Sequence, residues 1–311
     1  MEYEYRPYKE REVLEQYKKL ILEIKENGID NISPMVDNKT NESVYTRELE
    51  EAYTVNFDIL KNGAPIITER DISAFYKGAI GELFGFINGA RTQEELEKYG
   101  CKWWKSWVTE KKCAKRGLET GDLGPGSYGA AFHDFPTVSG EPFNQFLEIT
   151  KQMKERPELK THFISPWIPQ YTIRNQNHQQ KVVVCPCHGW LHFQIINGKL
   201  NMRMFQRSGD VIVGIPSNWA QYTALLLAMA DVLNLKPGKF SHTISNAHIY
   251  SNSFDKFGNN VVDMILQRET EPFPTLKLVN HHDSIFDYRP DDFELEDYNP
   301  KEKILGIRLG V

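Results

Sequence analysis

Residues 181–216 read "KVVVCPCHGWLHFQIINGKLNMRMFQRSGDVIVGIP". The stretch reads as strands joined by a hairpin turn. Asn197-Gly198 between two such runs is a hairpin signal, because both turn positions need positive φ. Downstream, "SNWAQYTALLLAMADVLNL" predicts a long buried helix stopped by "KPG". "KFSHTISNAHIYSN" predicts one further strand.

Working outward, Leu14, Tyr17, Leu20, Ile21 and Ile24 predict an amphipathic helix over 11–27. Residues 28–45 are polar, with scattered Asn and Asp, and predict a loop. "AYTVNFDIL" followed by "KNGAPII" predicts strand, turn, strand. "DISAFYKGAIGELFGFINGA" predicts an apolar helix closed by Gly89, with Glu82 its odd member. "GDLGPGSYG" reads as a glycine-rich turn and 141–155 as a helix. "THFISPWIP" predicts a short strand, and "YTIRNQNHQQK" a polar loop. No repeat or linker interrupts the chain. The fold class predicted is α+β, in a single domain.

The bulk numbers exclude several classes. The 311 residues are 40% hydrophobic and carry a net charge of −5, from 37 basic and 42 acidic side chains. There is no basic excess to suit a nucleic-acid partner. No run approaches the length of a membrane span. The charged start, "MEYEYRPYKEREVLEQYKKL", lacks the apolar core of a signal peptide. Four cysteines, Cys101, Cys113, Cys185 and Cys187, are ordinary cytoplasmic usage rather than a disulfide framework.

"CPCH" at 185–188 has four readings. A structural zinc needs about four ligands, usually from two clusters, and no second cluster follows. A redox pair normally has two residues between its cysteines, and this one has one. A buried strand can hold two small apolar thiols. A nucleophile is the fourth reading. Pro186 ends the apolar run, so Cys187 can lie at a strand end facing a cavity. A free thiol is mostly protonated at neutral pH, so a nucleophilic cysteine wants a nearby cation. Arg207, on the next predicted strand, suits that role and could hold a phosphate bidentately. Equally, it suits an exposed sheet edge.

The motifs together are more specific. Residues 185–252 resemble the core of the thymidylate synthase family: Pro-Cys-His, then Gln-Arg-Ser-x-Asp at 206–210, Gly-x-Pro-x-Asn at 214–218 and His-x-Tyr at 248–250. "SIFDYRPDDFELEDYNP" resembles the family's C-terminal segment. "GELFGFINGA", "WKSW" and "GDLGPGSYG" resemble three N-terminal motifs. The resemblance spans about 55–311. It implies residues 51–311 as the catalytic domain, with 1–50 a helix-and-loop extension. It also implies a large mixed or antiparallel sheet packed with helices, a sheet-to-sheet homodimer and a cytoplasmic enzyme without a metal.

It further implies that the Cys187 thiolate adds to carbon 6 of the pyrimidine of a nucleoside monophosphate. Carbon 5 then attacks the one-carbon unit of 5,10-methylenetetrahydrofolate. Arg207, Ser208 and Gln206 would hold the nucleotide, and Arg207 would also stabilise the thiolate. Asn218 would read the base, and His248 and Tyr250 the sugar hydroxyl. Glu82 would relay protons, since a carboxyl in apolar surroundings has a raised pKa. Tyr128 would stand near carbon 5. Asp210, Trp104 and Trp107 would meet the folate, with Trp103 adjoining the pair. Cys185 is read as packing.

Some positions depart from the family pattern. Its two consecutive arginines before the "SPW"-like strand are Lys160 and Thr161 here. Lys160 would reach a partner subunit's phosphate site, with Arg174 or Lys181 as substitutes. Lys39 and Arg47 are the candidates for the N-terminal phosphate arginine. Ser217 stands where the family has phenylalanine. A more polar folate wall favours water, hence a hydroxymethyl product, over the hydride that makes a methyl group. Relatives acting on dCMP typically carry aspartate at the base-reading position, so Asn218 points to dUMP, with dCMP and CMP as alternatives. The competing readings are a thymidylate synthase and a non-catalytic nucleotide-binding relative.

Overall fold

In the computed structural model, which describes residues 3–254 and 260–310, three sheets carry the eleven strands. The strands are β1 Ile29–Val36, β2 Ser43–Glu48, β3 Tyr53–Asp58, β4 Phe163–Ile164, β5 Trp190–Ile196 and β6 Lys199–Gln206. Then follow β7 Gly209–Asp210, β8 Lys236–Ile244, β9 Ala247–Tyr250, β10 Thr275–Leu278 and β11 Phe293–Glu296. The large sheet is five-stranded and mixed, in the order β3-β8-β6-β5-β4. A four-stranded sheet has the order β1-β2-β9-β7, and β10 pairs with β11.

The Asn197-Gly198 turn closes the antiparallel β5–β6 hairpin, with φ of 51° and 70° at the two residues. Leu191 and Phe193 on β5, and Leu200, Met202 and Met204 on β6, point into the core. The other face of these strands stays open. There Phe163 is 50% and Phe205 41% exposed, beside half-buried Trp190 and His192.

β6 runs parallel to β8, so a crossover must join them. The helix Gly214–Val232 is that crossover, and nearly all of it is buried. It is apolar nearly all round, as a helix enclosed by other elements must be. Its Trp219 meets Phe57 and Tyr17 edge-on. The helix Tyr76–Ile87, also buried along most of its length, packs against it. Polar residues on these two helices, Glu82, Asn218 and Gln221, therefore face each other in the interior.

Several sequence expectations fail; the run 181–189 before β5, expected as strand, is irregular. Residues 28–45, expected as a loop, form most of the β1–β2 hairpin, and β2 continues onto β9. The strands are polar because both faces of β1 are largely exposed, so no hydrophobic alternation marks them. "KNGAPII" makes no second strand; the short helix Ile59–Asn62 follows β3 and Gly63 turns the chain at φ 91°. "KFSHTISNAHIYSN" is two strands in two sheets, because the chain breaks at Ser245-Asn246. The backbone N–H groups of both residues are spent on β6 and its end, at Gln206 and Arg207. The sheet is also smaller than one large sheet would be, since β9 leaves it.

Candidate active site

The carboxyl ends of β6 and β9, the start of the crossover helix and the loop 174–180 enclose one cavity of about 1670 Å³. Cys187 lies on its wall just before β5. Gly189 lets the chain turn there with φ 94°; a Cβ would press on the Phe132 ring and the Tyr222 hydroxyl. Arg207, immediately after β6, donates from Nη2 to Cys187 Sγ at 3.3 Å. Its Nε donates to the Pro186 carbonyl at 2.7 Å, and Nη2 to the Cys185 carbonyl at 2.9 Å. The guanidinium is thus fixed by the loop that carries the thiol. Its carbon stands 5.8 Å from the Trp167 ring centroid.

Burial pushes the Cys187 thiol above its ordinary value, and the Arg207 charge offsets part of that push. Tyr128 sits behind the wall rather than on it. Its hydroxyl accepts from the backbone N–H of Cys187 at 2.6 Å and of His188 at 3.3 Å. His188 Nδ1 meets the Tyr222 hydroxyl at 2.6 Å, and burial pulls its pKa down to about 3. A neutral imidazole therefore flanks the thiol.

The cavity wall also holds a carboxyl. Glu82 lines the cavity yet is only 7% exposed. Trp103 and Trp104 both donate their indole N–H to its Oε1, at 2.7 and 2.6 Å. Burial raises its pKa against those donors. Of the tryptophans, Trp103 and Trp107 line the cavity and Trp104 is packed behind them.

Asn218, Ser208, Asp210, His248 and Tyr250 all reach the cavity. Asp210 Oδ1 accepts from the backbone of Ile212 and Val213, while burial raises its pKa. His248 and Tyr250, on one face of β9, touch edge to face at 5.1 Å between ring centres. Gln206 is 2% exposed and reaches Asn218 from behind rather than the cavity. Lys160, Lys39, Arg47 and Lys181 do not line this chain's cavity, whereas Arg174 does. Arg47 instead pairs with Asp30 at 3.0 Å.

Sequence reading missed Arg70, Gln221 and the segments 34–38 and 307–310. Arg70, 5% exposed, lines the cavity and donates to the Ile212 carbonyl at 2.6 Å. Its charge beside the apolar "APII" run was the available signal. Pro34, Met35 and Asn38 from the β1–β2 side line the cavity with Ile307, Leu309 and Gly310. Asn38 and Leu309 hold each other through two hydrogen bonds, of 3.0 and 3.1 Å. The last residue, Val311, lies outside the described residues.

A family model described as thymidylate synthase matches residues 15–307. The chain belongs to the thymidylate synthase family. It is a one-carbon transferase, and members transfer that unit from a folate to a pyrimidine nucleotide. Thymidylate synthase chemistry suits what the cavity holds: a thiol beside a cation, a buried carboxyl, a buried amide and an aromatic wall. The match includes the β1–β2 hairpin, whose residues line the site. Among the described residues, no cluster of His, Cys, Asp and Glu is placed to hold a metal. No described helix is long and apolar enough to cross a membrane.

Proposed function

We propose that this chain is a deoxyuridylate hydroxymethylase, using dUMP and 5,10-methylenetetrahydrofolate. The contact that carries the reading is Cys187 Sγ at 3.3 Å from Arg207, in a cavity large enough for two ligands. Cys187 adds to carbon 6 of the ring, forming a carbon–sulfur bond and leaving carbon 5 nucleophilic. Arriving phosphate takes up Arg207 and Ser208, with Arg174 at the cavity rim. Glu82 moves protons at the base, because burial raises its pKa above the ordinary carboxylate value and so favours a bound proton. Asp210 and the Trp103–Trp107 wall favour a flat, hydrogen-bonding pterin. Tyr128 holds the Cys187 backbone in place for attack.

Water rather than hydride is favoured by the wall where the folate would lie. Ser217 lines the cavity there, and so do Asn175, Gln176 and Asn177 of the polar loop. A wall of this kind retains water: once tetrahydrofolate has left with loss of the carbon 5 proton, a trapped water adds to the exocyclic methylene that remains, and the thiolate of Cys187 then leaves carbon 6. The synthase outcome is the second reading, since nothing else in the site distinguishes the two.

A homodimer completes the reading. The open face of the large sheet presents Phe163, Trp190 and Phe205, an apolar patch that a second copy would cover. Lys160, exposed beside β4, is then available to the partner's phosphate site.

The deciding experiment is mass spectrometry of the products from dUMP, dCMP and CMP, each with methylenetetrahydrofolate. Hydroxymethyl-dUMP is expected. A methyl product with dihydrofolate makes the chain a synthase, and a cytosine product overturns the base assignment.

A further inference from the structure

Gln221 does not line the cavity. It is fully buried, one helical turn after Asn218. Its Nε2 donates to the Ala79 carbonyl at 2.9 Å and to Glu82 Oε2 at 2.6 Å. Its Oε1 accepts from Asn218 Nδ2 at 2.9 Å. On the other side of Asn218, Gln206 Nε2 donates to Asn218 Oδ1 at 3.1 Å and to the Ser208 carbonyl at 2.9 Å. Gln206 Oε1 meets His242 Nε2 at 3.0 Å, and His242 Nδ1 accepts from Trp219 Nε1 at 3.0 Å.

Every amide in this chain could in principle face either way. The ends decide. A backbone carbonyl can only accept, so the Ala79 carbonyl fixes Gln221 with Nε2 towards it and Oε1 towards Asn218. The indole N–H of Trp219 can only donate, so His242 accepts at Nδ1 and carries its proton on Nε2. That proton fixes Gln206 with Oε1 towards His242 and Nε2 towards Asn218. Both arms impose the same result: Asn218 turns Nδ2 to Gln221 and Oδ1 to Gln206. Flipping it would set two N–H groups together on one side and two oxygens on the other, all buried.

We infer that Gln221 is a positioning residue that locks the Asn218 amide in one orientation, and that this orientation selects a 4-oxo over a 4-amino pyrimidine. An amide oxygen has two lone pairs and an amide nitrogen two hydrogens. Each arm uses one, which leaves Asn218 one acceptor and one donor for the base. A 4-oxo ring offers the complement, a ring N–H and a carbonyl. A 4-amino ring offers a bare ring nitrogen and an amino group, so both contacts become repulsive unless Asn218 turns over. The lock blocks that turn. Discrimination here comes from the polar groups that would be left unpaired, the strongest kind a site can build. The same link ties the base-reading amide to Glu82 through a single side chain.

The inference rests on the nucleotide reading of the cavity, and one experiment separates the two. Dissociation constants for dUMP and dCMP are measured by calorimetry on the whole protein, for the parent and for Gln221→Met. Methionine keeps the length and apolar bulk but offers neither anchor. The parent is expected to prefer dUMP by at least about 100-fold. In Gln221→Met that ratio should fall by at least about tenfold, chiefly because dCMP binds better. A side chain with only a packing role would weaken both nucleotides alike, so an unchanged ratio overturns the lock. If neither nucleotide binds the parent, the nucleotide reading fails and the lock with it. If Gln221→Met does not fold, Gln221→Ser gives the same readout, being too short to span Asn218 and Glu82.

Discussion

The Arg207 guanidinium donates to the Cys187 sulfur at 3.3 Å while two of its nitrogens are held by the carbonyls of Pro186 and Cys185. One cation thus fixes the loop and opposes the burial that would keep the thiol protonated. Arg207→Lys loses the fork that makes these contacts together. The alkylation rate of Cys187, resolved by mass spectrometry, should reach half-maximum at a higher pH in the variant. Affinity for dUMP should fall about 10- to 100-fold with the loss of a bidentate phosphate contact. An unmoved alkylation profile would show that Arg207 does not act on the thiol.

Cys187→Ser tests the covalent step itself. A hydroxyl in the same place is a far poorer nucleophile, so turnover should drop by at least about a thousandfold. Binding of dUMP, measured by calorimetry, should stay within about threefold, because the phosphate and base contacts remain. Retained turnover would remove Cys187 from the mechanism.

Glu82→Gln separates chemistry from stability. Loss of a general acid–base group should lower kcat by about 10²- to 10⁴-fold. The stability effect follows from burial, which raises the folded-state pKa above the ordinary 4.5. Between those two values the folded protein binds more protons than the unfolded chain, so this carboxyl destabilises increasingly as pH rises. The variant lacks that penalty, and its lost hydrogen bonds count equally at every pH. The melting-temperature difference, variant minus parent, should therefore grow as pH rises from 4.5 and then level off. A difference independent of pH would mean that Glu82 is not held neutral by burial.

Ser217 is the residue through which water is proposed to win. Ser217→Phe places an apolar ring on the cavity wall and should exclude water from the folate side. The ratio of methyl to hydroxymethyl product from dUMP should rise at least about threefold, read by mass spectrometry. No change in the product ratio would assign water access to the polar loop instead.

The open sheet face yields a prediction about assembly. Phe205→Glu puts a charge into the centre of the proposed self-contact, where it would be desolvated without a partner. Sedimentation at micromolar concentration should show a dimer for the parent and a monomer for the variant. A parental monomer would end the proposal that the partner's Lys160 reaches the phosphate.

The hairpin and the crossover helix were legible because their signals are local. Asn197-Gly198 needs two positive φ values, and the run from Trp219 to Val232 leaves no polar face to meet water. Cys187, Arg207, Asn218, His248 and Tyr250 were legible as ordered motifs, and all five reach the cavity. The β1–β2 hairpin was not legible, since an exposed polar strand has no hydrophobic period and takes its pairing from β9. The break at Ser245-Asn246 was equally silent, because hydrogen bonds to Gln206 and Arg207, some forty residues away, decide where β9 goes.

Sequence alone therefore determined the family, the α+β class and the candidates for nucleophile and cation, all carried by residue type and order. It could not order the energies. Whether burial or Arg207 governs the Cys187 thiol depends on how much water reaches the sulfur, which only packing sets. Nor could it place Gln221, one polar residue in an apolar helix. Its meaning comes from Ala79 and Glu82, about 140 positions away, brought within hydrogen-bond range when two helices pack. Donors and acceptors have direction, and only the folded chain fixes which way each one faces.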